Sequence, residues 1–186
     1  MKEIQKIKET IIADLFKSYD IRVVDADNDR RRPDLPYATI KTLSHSIVGG
    51  QAGNYKAEFI DSKSKDFKYD IKETLDYQPT ATISMQAIGR DEEEAREMAG
   101  KLHDYFKFVG RPRLDGINAT VVDVGDIEDR TIPLFDDLTH DFKYGLDVKI
   151  RYLKIIERTA PNIEKYKMKG HIGRLEIEQE GEINGK

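Results

Sequence analysis

Residues 142–152 alternate without a break: Phe142, Tyr144, Leu146, Val148, Ile150 and Tyr152 share one parity, and Lys143, Asp147, Lys149 and Arg151 the other. Successive side chains of a strand point to opposite sides, so this pattern buries one face of a sheet and leaves the second face wet. A helix would scatter the same residues around its circumference. The segment is also long beside the usual strand of about five or six residues. It is therefore expected to project beyond its sheet or to pair with more than one partner.

The rest of the chain supplies companions for that strand. Residues 79–88 form a second one, with Ala81, Ile83, Met85 and Ala87 on one side and Thr80, Thr82, Ser84 and Gln86 on the other. Strands are also predicted over 35–43, where Tyr37, Thr39 and Ile40 are strand formers, and over 117–124. Ile21 to Val24 is a short extended piece, and Pro33 and Pro36 hold the linker after it out of helix. Two amphipathic helices complete the set. In the first, Ile4, Ile7, Ile11 and Leu15 form an apolar stripe widened by Ile12 and Phe16, with Lys2, Lys6, Lys8 and Glu9 largely on the other side, and it ends near Tyr19-Asp20. In the second, Asp91 is the N-cap, Glu94 completes a capping box, Ala95, Met98, Leu102, Phe106 and Val109 are the buried stripe, and Gly110 and Pro112 stop it. The expected fold class is α+β: a mainly antiparallel sheet with two helices packed on one face, plus extended arms.

The arms are read from composition. Residues 44–65 carry Gly49, Gly50, Gly53 and Asn54, which predicts a flexible arm with a hairpin tip there and pairing of Tyr55 to Ile60 at its base. Residues 67–71 form a possible short strand. Beyond Pro161 come Lys165, Lys167 and Lys169, then Glu176, Glu178, Glu180 and Glu182, with Leu175 and Ile177 as one brief alternation. That composition predicts a charged extended arm without a core of its own. The expected organisation is one domain over 1–158 and an arm over 159–186.

Of the chain's 186 residues, 38% are hydrophobic and 35% charged, a charged share well above the ~25% of an average domain. Excess charge of this kind belongs to arms or to polar contacts with partners. The net charge of −4 excludes the basic excess of a general nucleic-acid binder. The one basic run, Arg30 to Arg32, sits among Asp25, Asp27, Asp29 and Asp34 and reads as a solvated loop. With no cysteine, disulfides and thiolate metal sites are excluded. The start of the chain lacks the apolar segment of a signal peptide, and no stretch approaches the ~20 apolar residues of a membrane span, so the chain is expected to be cytosolic when made.

No chemistry-bearing constellation emerges. His45, His103, His140 and His171 stand apart from one another, with neither HExxH nor paired-histidine spacing. Asp25, Asp27 and Asp29 begin like a calcium loop, but Arg30 stands where glycine is needed and Pro36 where a bidentate glutamate is needed. The glycines at 49–53 lack the Gly-Lys-Ser/Thr ending of a phosphate loop. Glu92 to Glu94 are explained as the first turn of a helix. No catalytic residue, cofactor site or metal site is expected, and the protein is not expected to be an enzyme.

Several segments together resemble the phage neck or tail-terminator proteins, a family of tail-completion and head-tail joining subunits. They are Val23-Val24-Asp25-Ala26-Asp27-Asn28, Arg32-Pro33, Leu35-Pro36-Tyr37-Ala38-Thr39-Ile40-Lys41, the Tyr69-Asp70 pair, the strand 79–89 entering a helix, Gly116-Ile117 and the strand 142–152. The resemblance covers roughly residues 1–157; the insertion at 44–65 and the arm after 158 depart from it. It implies a virion subunit, assembled in the host bacterial cytoplasm, that forms a ring, commonly a hexamer, at the head-proximal end of the tail. Such a ring ends tube polymerisation and offers a docking face to the head.

Implied partners are further copies of the chain, the tail tube protein, head-connector or neck proteins and the sheath of a contractile tail. DNA is a non-specific passenger, and no membrane is involved. The same part would serve a headless contractile bacteriocin particle. On this reading Arg30, Arg31, Arg32, Tyr55, Phe59, Leu175 and Ile177 are candidates for the ring or partner interface. Asp126, Glu128, Asp129, Asp136 and Asp137 are candidates for the lumen, where acidic side chains repel passing phosphate. The alternatives are another tail-completion or sheath-adaptor subunit, a small ligand-binding or hydrolytic α+β protein, and a sequence-specific nucleic-acid binder.

Overall fold

Three rows of apolar side chains running across paired strands organise the core. Ile40, Met85 and Leu146 lie in one row, Ile83, Val148 and Val124 in the next, and Ala81, Ile150 and Val121 in the third. The computed structural model describes residues 2–27, 32–46, 53–64, 68–132, 141–161, 165–172 and 175–182, the last two stretches as backbone pairing only.

The chain forms two units, one of residues 1–51 and 78–154, the other of 52–77 and 155–186. In the first unit the rows belong to a sheet of β1 (Val23–Asp25), β2 (Tyr37–Ser46), β5 (Thr80–Gly89), β8 (Phe142–Tyr152) and β6 (Ala119–Val124), in that order, with β7 (Glu128–Asp129) also on β8. All neighbours are antiparallel except β1 on β2. The length of β8 is thus used on three partners: β5 along one edge, and β6 and then β7 along the other.

Two helices cover the apolar rows, as the alternation requires. α1 (Lys2–Tyr19) buries Ile4, Ile7, Ile11 and Leu15. It ends where Asp20 enters the left-handed region at φ 56° and donates its N–H to the Phe16 carbonyl at 2.9 Å. α2 (Glu92–Asp104) starts at Asp91, whose carboxylate accepts the Glu94 N–H at 2.8 Å, while the Glu94 carboxylate reaches back to the Arg90 N–H. The Leu35–Pro36 peptide is cis, and the Arg90 guanidinium donates to the Leu35 carbonyl at 2.8 Å.

Four expectations are corrected by packing. Phe16 is 59% exposed, because the stripe is already filled by Ile12 and Leu15 on the core side. Lys8 is buried instead of solvated, its ammonium 2.5 Å from Asp25 at the end of β1. Val109 is exposed because residues 105–109 form a wide π-helical turn, closed by the Gly110 N–H on the Tyr105 carbonyl. The wider turn rotates the stripe so that adjacent residues Tyr105 and Phe106 both face inward. Pro112 does not end the helical run, since it stands in the first turn of α3 (Arg111–Asp115), where its missing N–H is harmless.

Tyr105 is fully buried, with its hydroxyl donating to Asp14 at 3.3 Å, and Arg113 holds the same carboxylate from α3. Burial, followed by the Asp14 charge, raises the phenol's pKa. Gly110 lies against this ring so closely that a Cβ there would overlap it.

The second unit consists of strands alone among the described residues. β3 (Asn54–Asp61), β4 (Tyr69–Tyr77) and β9 (Lys154–Pro161) form one sheet with β4 central, and β10 (Lys165–Ile172) pairs with β11 (Leu175–Glu182) as an antiparallel hairpin. The expected hairpin at 44–65 is relocated. Residues up to Ser46 remain paired to β5, Asn54 begins β3, and β3 pairs with β4 from Asp61 opposite Tyr69, with the Ser62 N–H on the Lys68 carbonyl. Gly49 and Gly50 lie outside the described residues. The short strand expected at 67–71 is a nine-residue one, and the described residues after 158 belong to β9, β10 and β11.

Lys8→Met is expected to lower stability by about 1–3 kcal/mol in urea unfolding, because Asp25 keeps a half-buried charge without its partner, and Asp25→Leu in the same chain should restore most of it. Tyr105 supplies a pH signature. With the folded pKa raised, its contribution is complete below the ordinary value of 10.0 and is lost as pH rises through the folded value. The Tyr105→Phe protein should therefore show a shallower loss of stability above pH 10.0 than the wild type, measured by denaturant midpoints across alkaline pH.

Candidate assembly surfaces

The second face of the main sheet is polar at its centre, and Arg130 organises it. Its backbone N–H joins the Lys143 carbonyl at 2.7 Å, and its guanidinium lies across β8 and β5. There it donates to the Ser84 hydroxyl at 2.7 Å and to the Asp147 carboxylate at 3.0 Å, with Glu128 at 3.2 Å on the same nitrogen as Asp147. Gly145 makes room for it: a Cβ there would come within 2.9 Å of both Arg130 Cδ and the Met85 carbonyl oxygen. Lys149 and Asp123 pair at 3.3 Å farther along the sheet.

Toward β1 this face becomes apolar. Tyr37 and Ile88 stand opposite each other on β2 and β5 and are both buried. They floor an open cleft of about 590 Å³ whose rim includes Ala26, Arg32, Pro33 and Lys143. Asp25, Thr39 and Gln86 also line it, so the cleft carries both signs of charge beside its apolar floor.

The acidic loop residues lie beside the first residues of β8, with Glu128 paired to Gly145 and Asp129 to Tyr144. Asp126, Glu128 and Asp129 are exposed. They are not equivalent. Glu128 shares Arg130, whereas Asp129 accepts hydrogen bonds from the Thr131 side chain and N–H, which hold its carboxyl below the usual range. Asp136 and Asp137 lie outside the described residues.

In the second unit, Tyr55, Ala57 and Phe59 of β3 share a face with Ile71, Glu73 and Leu75 of β4, in the pairs Tyr55 with Leu75, Ala57 with Glu73 and Phe59 with Ile71. Ile156 and Arg158 of β9 border a small hollow with Tyr55, Glu73 and Leu75. At its centre the Glu73 carboxylate accepts from both the Tyr55 hydroxyl and the Arg158 guanidinium. Both contacts hold Glu73 below the usual carboxylate range, and the Tyr55 phenol is raised through the same bond. Around that network the surface is apolar and open: Tyr55 is 60% exposed, Phe59 55% and Ile156 46%. Phe59 meets Tyr69 edge to face at 6.5 Å. Exposed apolar surface of this kind makes the face a candidate interaction surface.

A family model described as phage neck terminator protein matches residues 2–178. The chain belongs to the phage neck terminator family. No curated protein matches the sequence. As a neck terminator, the protein is a structural component of the phage tail or neck and interacts with other tail and head proteins there. No helix among the described residues is long and apolar enough to cross a membrane.

The neck terminator's surfaces gather some of the sequence-selected residues and separate others. Tyr55 and Phe59 share one exposed face, and Leu175 and Ile177 share a face of β11, all in the second unit. Arg32 belongs to the first unit and edges its cleft, while Arg30 and Arg31 lie outside the described residues. Arg130, Gly145, Glu73 and Arg158 went unrecognised in the sequence. The available signal was Gly145 interrupting the polar parity of β8, a hint that something crosses the strand there.

Arg130→Ala should cost about 1 kcal/mol in urea unfolding, since its ion pairs are partly screened but Ser84 is buried. Gly145→Val should cost more, about 2 kcal/mol, because the Met85 carbonyl cannot move aside. Added salt should shrink the first loss and leave the second unchanged.

Proposed function

We propose that this neck terminator acts as a ring of identical subunits, commonly six, that ends tail-tube polymerisation and presents a docking face to the head connector or neck, with the sheath as a further partner in a contractile tail. The observation that carries the reading is the open apolar face of the β3–β4–β9 sheet. Among the described residues no helix covers this sheet, and its large apolar side chains stay in contact with water; a subunit that assembles supplies a cover for them. A ring requires heterologous contacts, two different patches per subunit whose rotation closes. The second unit offers two different patches, Tyr55 and Phe59 on β3 and Leu175 and Ile177 on β11, and the first unit adds the cleft edged by Arg32.

The loop at 126–129 is the proposed lumen surface, with Asp136 and Asp137 continuing it in sequence. Asp126 and Asp129 carry most of the repulsion toward passing DNA phosphate, because Glu128 is compensated by Arg130.

The test is electron microscopy of particles assembled without the protein. Overlong tubes support termination; tubes of normal length without heads point to a joining role; normal particles overturn the reading. In the complemented system, reversing Asp126 and Asp129 to lysine should leave tube length unchanged and slow DNA passage, read as ejection kinetics.

A further inference from the structure

We infer that the β10–β11 hairpin of one copy seats its apolar face on the β3–β4–β9 sheet of an adjacent copy, completing a two-layer β-sandwich across the subunit boundary. The inference rests on the ring reading above and specifies the contact by which neighbouring subunits are joined.

The argument begins with the hairpin's register. Lys165 stands opposite Glu182, Lys167 opposite Glu180, Lys169 opposite Glu178 and His171 opposite Glu176. Directly opposed residues of an antiparallel pair share a face, so one face of the ladder carries three lysines and a histidine at the positions opposite four glutamates. The intervening positions make up the second face: Tyr166 opposite Gly181, Met168 opposite Gln179, Gly170 opposite Ile177, and Ile172 opposite Leu175. The run of lysines and glutamates that reads as a solvated arm is therefore half of an amphipathic ribbon. A two-stranded hairpin is at best marginally stable alone in water, and among the described residues β10 and β11 pair only with each other.

The same chain thus carries two sheets, each with one apolar face, and their dimensions agree. β3, β9, β10 and β11 are each eight residues long, or about 27 Å at the strand rise. Charge is complementary by omission: the sheet face holds Glu73 with its own partners Tyr55 and Arg158, so it buries no unpaired ion when covered.

The fit extends to individual positions. On β3 the two large exposed rings, Tyr55 and Phe59, are four residues apart, about 14 Å along the strand. On the hairpin's apolar face the two glycines, Gly181 and Gly170, are four ladder steps apart and on neighbouring strands. The glycines leave gaps at the spacing of the rings. Their sideways offset of one strand, about 4.8 Å, inclines the two lines by about 20°, close to the ~30° at which stacked sheets cross.

The chain has no native cysteine, so the test is disulfide trapping in the full-length protein. Separately prepared Phe59→Cys and Gly170→Cys proteins are mixed under assembly conditions, oxidised and run on non-reducing gels. A cross-linked dimer is expected from the mixture. It should form about tenfold more than with Lys169→Cys, which moves the thiol to the opposite face of the ladder. Far-UV circular dichroism of each variant confirms that it is folded. Gly170→Val with Gly181→Val, which fills both gaps, should weaken assembly while leaving the thermal transition of the first unit in place.

Light scattering on the same samples, free and on tail tubes, separates the outcomes. A ring that forms without the Phe59–Gly170 cross-link overturns the seating and leaves the ring reading intact. A Phe59→Cys, Gly170→Cys double variant that closes only within its own chain overturns the exchange between copies. Absence of any assembly overturns both.

Discussion

Everything in the first unit depends on the two-residue period of β5 and β8 being paired in phase. Met85 opposite Leu146 and Ile83 opposite Val148 put the apolar rows of both strands on the same side of the sheet. A slip of one residue would expose the whole set. With the pairing in phase, α1 and α2 have one continuous apolar surface to cover, and the opposite face is left for polar contacts. Arg130 can lie flat across that opposite face only because Gly145 interrupts it.

The second unit is built on a different balance. It has no helix among its described residues, and its three-stranded sheet keeps large apolar side chains in contact with solvent. Its internal polar contacts, Tyr55 and Arg158 on Glu73 and Lys72 on Glu157, tie the three strands together without covering them. The first unit resembles a finished domain in its burial, and the second resembles one layer of a larger structure.

Most of the main sheet was legible because long apolar alternation has only one physical solution. The strands at 79–88 and 142–152, the first-helix stripe of Ile4, Ile7, Ile11 and Leu15 and the Asp91 cap all stand where the pattern puts them. The candidate surfaces were less legible. β9 contains adjacent Ile155 and Ile156, which face opposite sides of a thin sheet and so spoil the alternation that identifies a strand. β10 and β11 look like solvated arms when scanned linearly, since a lysine every second residue and a glutamate every second residue become a paired face only after the two strands are aligned. The glycines at 49 and 50 drew the predicted hairpin away from the one that β3 and β4 form, because turn-forming residues mark a change of direction without saying which strands flank it.

The sequence by itself determined the fold class, the principal strands, the two helices and the resemblance to neck terminators, because these follow from side-chain period, capping chemistry and local motif. Tertiary structure alone decided that Lys8 is buried against Asp25, that residues 105–109 widen into a π turn placing Tyr105 on Asp14, and that residues 52–77 and 155–186 come together as one unit. Those facts depend on which distant segments meet, and a contact across a hundred residues of chain leaves no period for a linear reading to find.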